Sequence, residues 1–204
     1  MTVDHHGALE EAVFLAINRT AGLLLDRATV VLSSPAFGAA TGIALALTIG
    51  LSLARGRRRL ALLLALALAL GLSDFVGARV LRPLFARMRP CYALPPGAVR
   101  LLVGAADVGS IPSLHASNFF AMATVAWAAR RGLGIAAAVV AAAVAWSRVH
   151  GGVHWPTDVV AGAGWGTLCA LAALAIARRA AGAEPAATPA APATPRRPAG
   201  PPVA

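Results

Sequence analysis

Residues 147–158 read Ser147-Arg148-Val149-His150-Gly151-Gly152-Val153-His154-Trp155-Pro156-Thr157-Asp158, where one apolar run, Leu133 to Ser147, gives way to another, Val159 to Ala177. A serine, an arginine, an imidazole and a carboxylate in the spacing S-R-x5-H-x3-D are costly to hold at a membrane boundary. Together they are chemically coherent: the arginine suits an anion, and an imidazole with a carboxylate nearby suits a nucleophile. The interruption reads as an anion-binding nucleophile site rather than as packing.

The flanking runs belong to a pattern that covers most of the chain. Of its 204 residues 58% are hydrophobic and only 13% charged, and the mean hydropathy is +0.72, which excludes an ordinary soluble domain. Five stretches are apolar enough to cross a bilayer or nearly so: Ala36 to Ala54, Leu60 to Ala78, Ser113 to Ala129, Leu133 to Ser147 and Val159 to Ala177. A full span needs roughly 20 apolar residues, so the third and fourth must borrow interfacial ones. Lipid cannot satisfy open strand edges and no alternating pattern is present, so the spans are helices. The predicted fold is all-α: an integral membrane helical bundle of about five transmembrane helices.

Arg19, Asp26 and Arg27 divide the apolar runs of residues 1–34, which therefore read as two short helices lying at the interface. Residues 35–181 form the transmembrane domain. Residues 182–204, rich in Ala and Pro, cannot bury a core and read as a disordered tail. The start lacks a basic region followed by a short apolar core and a cleavage site, so no signal peptide is expected.

Basic residues near span ends collect on the cytoplasmic side. Arg55, Arg57, Arg58 and Arg59, Arg130 and Arg131, and Arg178 and Arg179 fall on one side by alternation. Arg79, Arg82, Arg87, Arg89, Arg100 and Arg148 fall on the other. Those six need a separate reason, and binding of a phosphate by permanently charged, planar guanidinium groups supplies one. The net charge of +10 thus has a topological and a chemical part. Arginines distributed among membrane spans argue against a nucleic-acid partner.

Two more segments on the arginine-rich side belong to the site. Arg82-Pro-Leu-Phe-Ala-Arg-Met-Arg89-Pro90 sets two arginines seven residues apart, nearly one face after two helical turns. Ile111-Pro112-Ser113-Leu114-His115 ends the loop before the third span, with Ser113 placed to cap that helix and His115 in its first turn. A helix N-terminus offers free N–H groups and a positive dipole end to a phosphate oxygen.

These three segments resemble the three signature motifs of the type 2 phosphatidic acid phosphatase superfamily, the lipid phosphate phosphatases: K-x6-R-P, P-S-G-H and S-R-x5-H-x3-D. The third motif matches at every position. In the first, Arg82 stands where the family has lysine, keeping the charge with a different geometry. In the second, Leu114 stands where the family has glycine and leaves Ser113 and His115 in place. The resemblance covers roughly residues 36–180. It implies that His154 attacks phosphorus to form a phosphohistidine, with Asp158 fixing the imidazole tautomer. His115 would protonate the leaving oxygen and then activate water. Arg82, Arg89, Arg148, Ser113 and Ser147 would bind phosphate, without a metal or any other cofactor. The partners it implies are the bilayer and a lipid phosphate. The site would face outward in a multi-pass protein of the bacterial inner membrane.

Among substrates the reading favours undecaprenyl diphosphate, because Phe14 to Asn18 and Leu25-Asp26 resemble the start of small bacterial members. Phosphatidate, phosphatidylglycerol phosphate and lipid A phosphate are the rivals. A non-catalytic binder or transporter of lipid phosphate would use the same arginines, yet it needs no nucleophile with an orienting carboxylate.

The remaining polar and small residues have plainer readings. Asp74 inside the second span is expected to need a network with Ser73 or Arg79, with a direct role in the site as the alternative, and His150, off the motif positions, a structural or interfacial role. His5 and His6 read as a mobile terminus. Gly162 and Gly166 suit a close helix contact. The four tryptophans read as interfacial anchors, Trp155 with the further option of lining the lipid's path. Cys91 and Cys169 lie at opposite ends of the topology and are expected to be unpaired.

Overall fold

Alanine- and leucine-rich runs such as Leu60–Leu70 satisfy their backbone internally only as helices, and nine helical segments make up the fold among the described residues. In this computed structural model the described residues are 6–19, 22–53, 55–105 and 109–182. The expected disorder of the tail, apart from Gly182, and the reading of His5 lie outside them.

Helices α1 (Ala8–Asn18) and α2 (Leu23–Leu32) precede α3 (Pro35–Thr48), which runs on into a π turn, Ile49–Leu53. Helix α4 (Gly56–Val76) continues through a second π turn, Gly77–Leu81, into the short α5 (Arg82–Phe85). After α6 (Pro90–Ala93) come α7 (Leu114–Ala129), α8 (Arg131–His150) and α9 (Pro156–Gly182). Helix α3 begins as its sequence dictates, with Pro35 in the first turn and the Ser34 hydroxyl accepting the Phe37 N–H at 3.2 Å.

Three helices are long and apolar enough to cross a bilayer unaided: Gly56–Phe85, Arg131–His150 and Pro156–Gly182. α2 and α3 meet that test only as a pair bent by 61°. The division expected at residue 34 coincides with the break between them. At 16 residues, α7 is the shortest of the central helices, and it can be short because it is enclosed. It packs on α4, α8 and α9, and it buries Ala116, Ser117, Phe119, Ala121, Met122, Val125 and Ala126. The outer helices bury one stripe each and turn Leu64, Leu72, Val139, Leu168 and Ile176 outward, as a lipid-facing surface requires.

The α7–α9 contact is close because α9 has glycine where α7 presents backbone. A Cβ at Gly162 would stand 2.5 Å from the Ser113 carbonyl oxygen, and one at Gly166 would collide with that of Ser117. The small-residue contact expected from the sequence is realised there. A polar rung crosses the same layer. Ser73 Oγ lies 2.6 Å from Ser117 Oγ and donates to Asn118 Oδ1 at 2.8 Å, while Trp165 Nε1 donates to the Ser73 carbonyl at 3.1 Å.

Chain direction gathers the end of α4, the starts of α7 and α9 and the end of α8 at one pole. At the opposite pole Arg58 Nη2 donates to the Ala129 carbonyl at 3.2 Å. Over the first pole lies α1, fixed by Asn18: its amide donates to the carbonyls of His150 (2.8 Å) and Arg100 (2.9 Å). His150 does have a structural role: its ring bonds Ile17 O at 2.8 Å and Asp26 Oδ1 at 3.1 Å and stacks on Trp146. His6 is packed rather than mobile, stacked on the Trp155 ring at 4.4 Å.

Replacing Gly166 by leucine is expected to cost about 1–3 kcal/mol through overpacking. Leucine at Gly164, which has nothing within 4 Å of an added Cβ, serves as the control. Thermal unfolding in detergent micelles checks this: Gly166→Leu should melt well below wild type, Gly164→Leu close to it, and equal melting temperatures would refute the tight α7–α9 contact.

Candidate active site

The end of α8, the turn 151–155 and the start of α9 carry the decisive stretch. Gly152 makes that turn possible: its φ is +85°, and a Cβ there would stand 2.6 Å from the Arg100 carbonyl oxygen. The turn delivers His154, 1% exposed, beside Asp158, which is wholly buried. His154 Nδ1 is 3.3 Å from Asp158 Oδ2, and Arg89 Nη1 is 2.9 Å from His154 Nε2. A guanidinium can only donate, so Nε2 presents its lone pair and Nδ1 carries the proton toward Asp158. Arg89 also donates to the Val153 carbonyl at 3.0 Å.

Burial, reinforced by the charges of Arg89 and Arg148, pushes the His154 imidazole down to about 3, against the opposite pull of Asp158. The ring is therefore neutral at physiological pH, with a free electron pair on the nitrogen that faces the cavity.

Asp158 is held by more than His154. Its carboxylate accepts from Arg87 Nη1 (2.8 Å), the Trp155 N–H (2.8 Å) and the Ser110 hydroxyl. Arg87 Nη2 in turn meets Glu10 Oε2 of α1 at 2.5 Å, and its Nη1 donates to Thr157 Oγ1 at 2.6 Å. The Thr157 N–H and hydroxyl also bond Glu10.

A cavity of about 850 Å³ opens at this pole and runs into the bundle. Its polar lining comprises His154, His115, Arg82, Arg89, Arg148, Asn118 and Asp74, with Ser33 and Ser34. Much of the remaining wall is apolar, including Leu70, Leu114, Phe119 and Met122. Arg148 is 5% exposed. Its Nη1 reaches the Ser33 carbonyl at 3.4 Å, its Nε has no hydrogen-bond partner, and no carboxylate among the described residues pairs with it. Among the described residues, the cavity presents three guanidinium groups and one carboxylate, Asp74, to an anion.

Five of the eight residues singled out from the sequence thus line one cavity: His115, His154, Arg82, Arg89 and Arg148. Asp158 stands directly behind His154. Ser147 is wholly buried, its hydroxyl 3.0 Å from Ser33 Oγ and donating to the Val144 carbonyl at 2.7 Å. Ser113 occupies the N-cap position of α7 without a capping side-chain bond, and its hydroxyl is buried without a hydrogen-bond partner. Its backbone N–H instead bonds the Asp158 carbonyl at 3.0 Å, tying the starts of α7 and α9 together.

The structure departs from the sequence-based expectations at several residues. Arg82 and Arg89 do not share a helix face. Helix α5 ends at Phe85, Ala86 is left-handed (φ 47°), and the chain then runs extended, with Met88 bridged to Gly109. Extended residues two apart share a face, which sends Arg87 to Asp158 and Arg89 to His154. Of the six arginines assigned to anion binding, Arg87 and Arg100 are otherwise engaged. Arg100 bonds Asp26 Oδ2 at 2.8 Å and the Arg19 carbonyl at 2.9 Å. Trp155 is neither anchor nor path: it is wholly buried, with Nε1 donating to the Met88 carbonyl at 2.9 Å. Asp74 bonds Asn118, at 3.2 Å, rather than Ser73 or Arg79. Arg87 and Ser110 were not singled out as partners of Asp158, nor Glu10 as the partner of Arg87. The one local signal was the i, i+2 pairing of Arg87 with Arg89.

A family model described as the PAP2 superfamily matches residues 58–181. No curated protein matches the sequence. Two solved structures share the fold. The first, described as the first transmembrane PAP2 type phosphatidylglycerolphosphate phosphatase from Bacillus subtilis, is 20% identical with a TM-score of 0.66, over 84% of this chain and 86% of its own. The second, LpxE of Aquifex aeolicus, is 24% identical with a TM-score of 0.56, over 86% of this chain and 99% of its own.

Because its pKa is depressed, His154 should stay neutral as the pH falls through the range where an ordinary imidazole, with a pKa near 6.5, takes up its proton. Histidine ring nitrogen NMR on the detergent-solubilised protein, assigned with a His154→Gln variant, checks this. A neutral Nδ1–H ring at pH 5 is expected; a His154 midpoint between 6 and 7 would contradict the geometry.

Proposed function

The chain belongs to the PAP2 superfamily, and we propose that it is a membrane phosphatase that removes phosphate from a lipid through a phosphohistidine on His154. The observation that carries this reading is the pairing of Nδ1 with Asp158 (3.3 Å) while Nε2 stands at the wall of an arginine-lined cavity.

The Nε2 lone pair accepts from Arg89 at 2.9 Å. A phosphate that enters draws this guanidinium to its own oxygens and leaves Nε2 free to attack phosphorus. Arg82, Arg89 and Arg148 then balance the charge spread over the non-bridging oxygens, with Ser113 and Ser147 holding the backbone around them. As the P–N bond forms, the imidazole becomes cationic and Asp158 compensates it across Nδ1. With the phosphate anion beside it, His115 holds a proton, gives it to the departing alcohol oxygen and takes one back from the water that releases phosphate from His154. Each charge change has a partner among the chain's own residues, so the reaction needs no metal ion.

The apolar wall formed by Leu70, Leu114, Phe119 and Met122 suits the hydrocarbon part of a lipid. The arginines at the opposite pole, Arg57, Arg58, Arg59, Arg130, Arg131, Arg178 and Arg179, support a site on the extracytoplasmic face of the bacterial cell membrane. The motif-like residues at the N-terminus, which favoured undecaprenyl diphosphate, serve the fold: Phe14 packs on Trp155, Asn18 fixes Arg100, and Asp26 holds Arg100 and His150. None of them lines the cavity, whose own wall therefore meets the lipid.

A phosphate-release panel of undecaprenyl diphosphate, phosphatidate, phosphatidylglycerol phosphate and lipid A, run in excess EDTA, tests the reading. Wild type should release phosphate from at least one of the four. His154→Ala should lose at least about 10³-fold while melting like wild type. Activity that EDTA abolishes and a divalent ion restores would refute the proposed chemistry, as would His154→Ala turning over normally.

A further inference from the structure

Asp74 is the one acidic residue of the apolar helix Gly56–Phe85, and it lines the same cavity as His154 and His115. A carboxylate inside a spanning helix is costly and rarely kept without a task. Its Oδ1 accepts from Asn118 Nδ2 at 3.2 Å, and Asn118 Oδ1 is occupied by the Ser73 hydroxyl at 2.8 Å. Orienting Asn118 requires only a neutral acceptor, and no other side chain among the described residues hydrogen-bonds Asp74. The charge and the second carboxylate oxygen are surplus to the structural need.

Position gives them a use. Asn118 follows His115 by three residues on α7, one turn further into the bundle on the same face, about 4.5 Å along the axis. If His115 protonates the leaving oxygen, the part of the substrate beside Asp74 and Asn118 is the leaving alcohol, a carbon or two beyond that oxygen. A carboxylate accepts hydrogen bonds and offers none. It attracts a hydroxyl, gives nothing to an ester oxygen and repels an anion.

Resting on the phosphatase reading, we propose that Asp74 and Asn118 form a hydroxyl-recognising subsite for the leaving alcohol. The enzyme then prefers lipid phosphomonoesters with a free hydroxyl on the carbon next to the phosphorylated one. Phosphatidate, with an ester oxygen at that place, is disfavoured. So is a polyprenyl diphosphate, whose leaving group is itself a phosphate anion beside Asp74. The preference separates the lipid substrates by one functional group.

The test uses the full chain in detergent micelles with two lipids of identical acyl chains: phosphatidylglycerol phosphate, and its analogue with 1,3-propanediol replacing the terminal glycerol. They differ by the single hydroxyl. Wild type should favour the hydroxyl-bearing lipid in kcat/KM by about tenfold or more, because a site built to bond a hydroxyl rejects the analogue lacking it. Asp74→Ala, and independently Asn118→Ala, should bring that ratio to about one. A wild-type ratio near one, a ratio that survives both substitutions, or turnover of polyprenyl diphosphate alone would overturn the subsite and leave the phosphatase standing. No phosphate release from any of these lipids, nor from phosphatidate or lipid A, would overturn the phosphatase reading and the subsite with it.

Discussion

The buried carboxylate of Asp158 is the constraint on which the rest of the site depends. A charge wholly removed from water at a membrane boundary survives only if donors surround it. Arg87, Ser110, the Trp155 N–H and His154 supply them. Arg87, itself nearly buried, brings a second charge that Glu10 of α1 balances. Leaving one member of such a set unpaired costs of the order of 3–5 kcal/mol, so the N-terminal helix is part of the support for His154. Asn18, His150 and Asp26 fix that helix and its successor from the other side.

This arrangement explains why the His154 ring is neutral yet oriented. Asp158 alone would favour a protonated imidazole. Burial and the neighbouring guanidinium groups oppose it more strongly, and what remains of the carboxylate's effect is the choice of tautomer. The same arginines that keep His154 neutral are those a phosphate would meet, so the anion's arrival relieves their mutual repulsion and frees Nε2 in one event. Deeper in, the described cavity wall is largely apolar, with Asp74 and Asn118 as a hydrogen-bonded polar pair.

Much of this was legible in the sequence because it depends on local order. Apolar runs placed helices at the five expected spans, alternation of direction put three polar segments at one pole, and the spacing of Ser147, Arg148, His154 and Asp158 marked the site. The rest depends on rotation and distance. Leucine and alanine on every side of α4 hide which face is buried, and the π turn at Gly77–Leu81 shifts the register before Arg82. The left-handed turn at Ala86, at a residue with no turn preference, replaced the expected helical face with an extended one. Glu10 and Arg87 meet across 77 residues of chain, and no local pattern announces such a pair. Serines 113 and 147 sit at motif positions, yet their hydroxyls are buried away from the cavity wall, a distinction made by packing alone.

The central claim is that His154, held by Asp158, becomes covalently phosphorylated during turnover. It is tested most directly by rapidly quenching the enzyme under alkaline, denaturing conditions while it turns over a lipid phosphate, then mapping the phosphate by mass spectrometry. Base-stable, acid-labile phosphate on His154, attached at Nε2, is the predicted result. Phosphate on His115, a serine or any other side chain in its place would contradict the account.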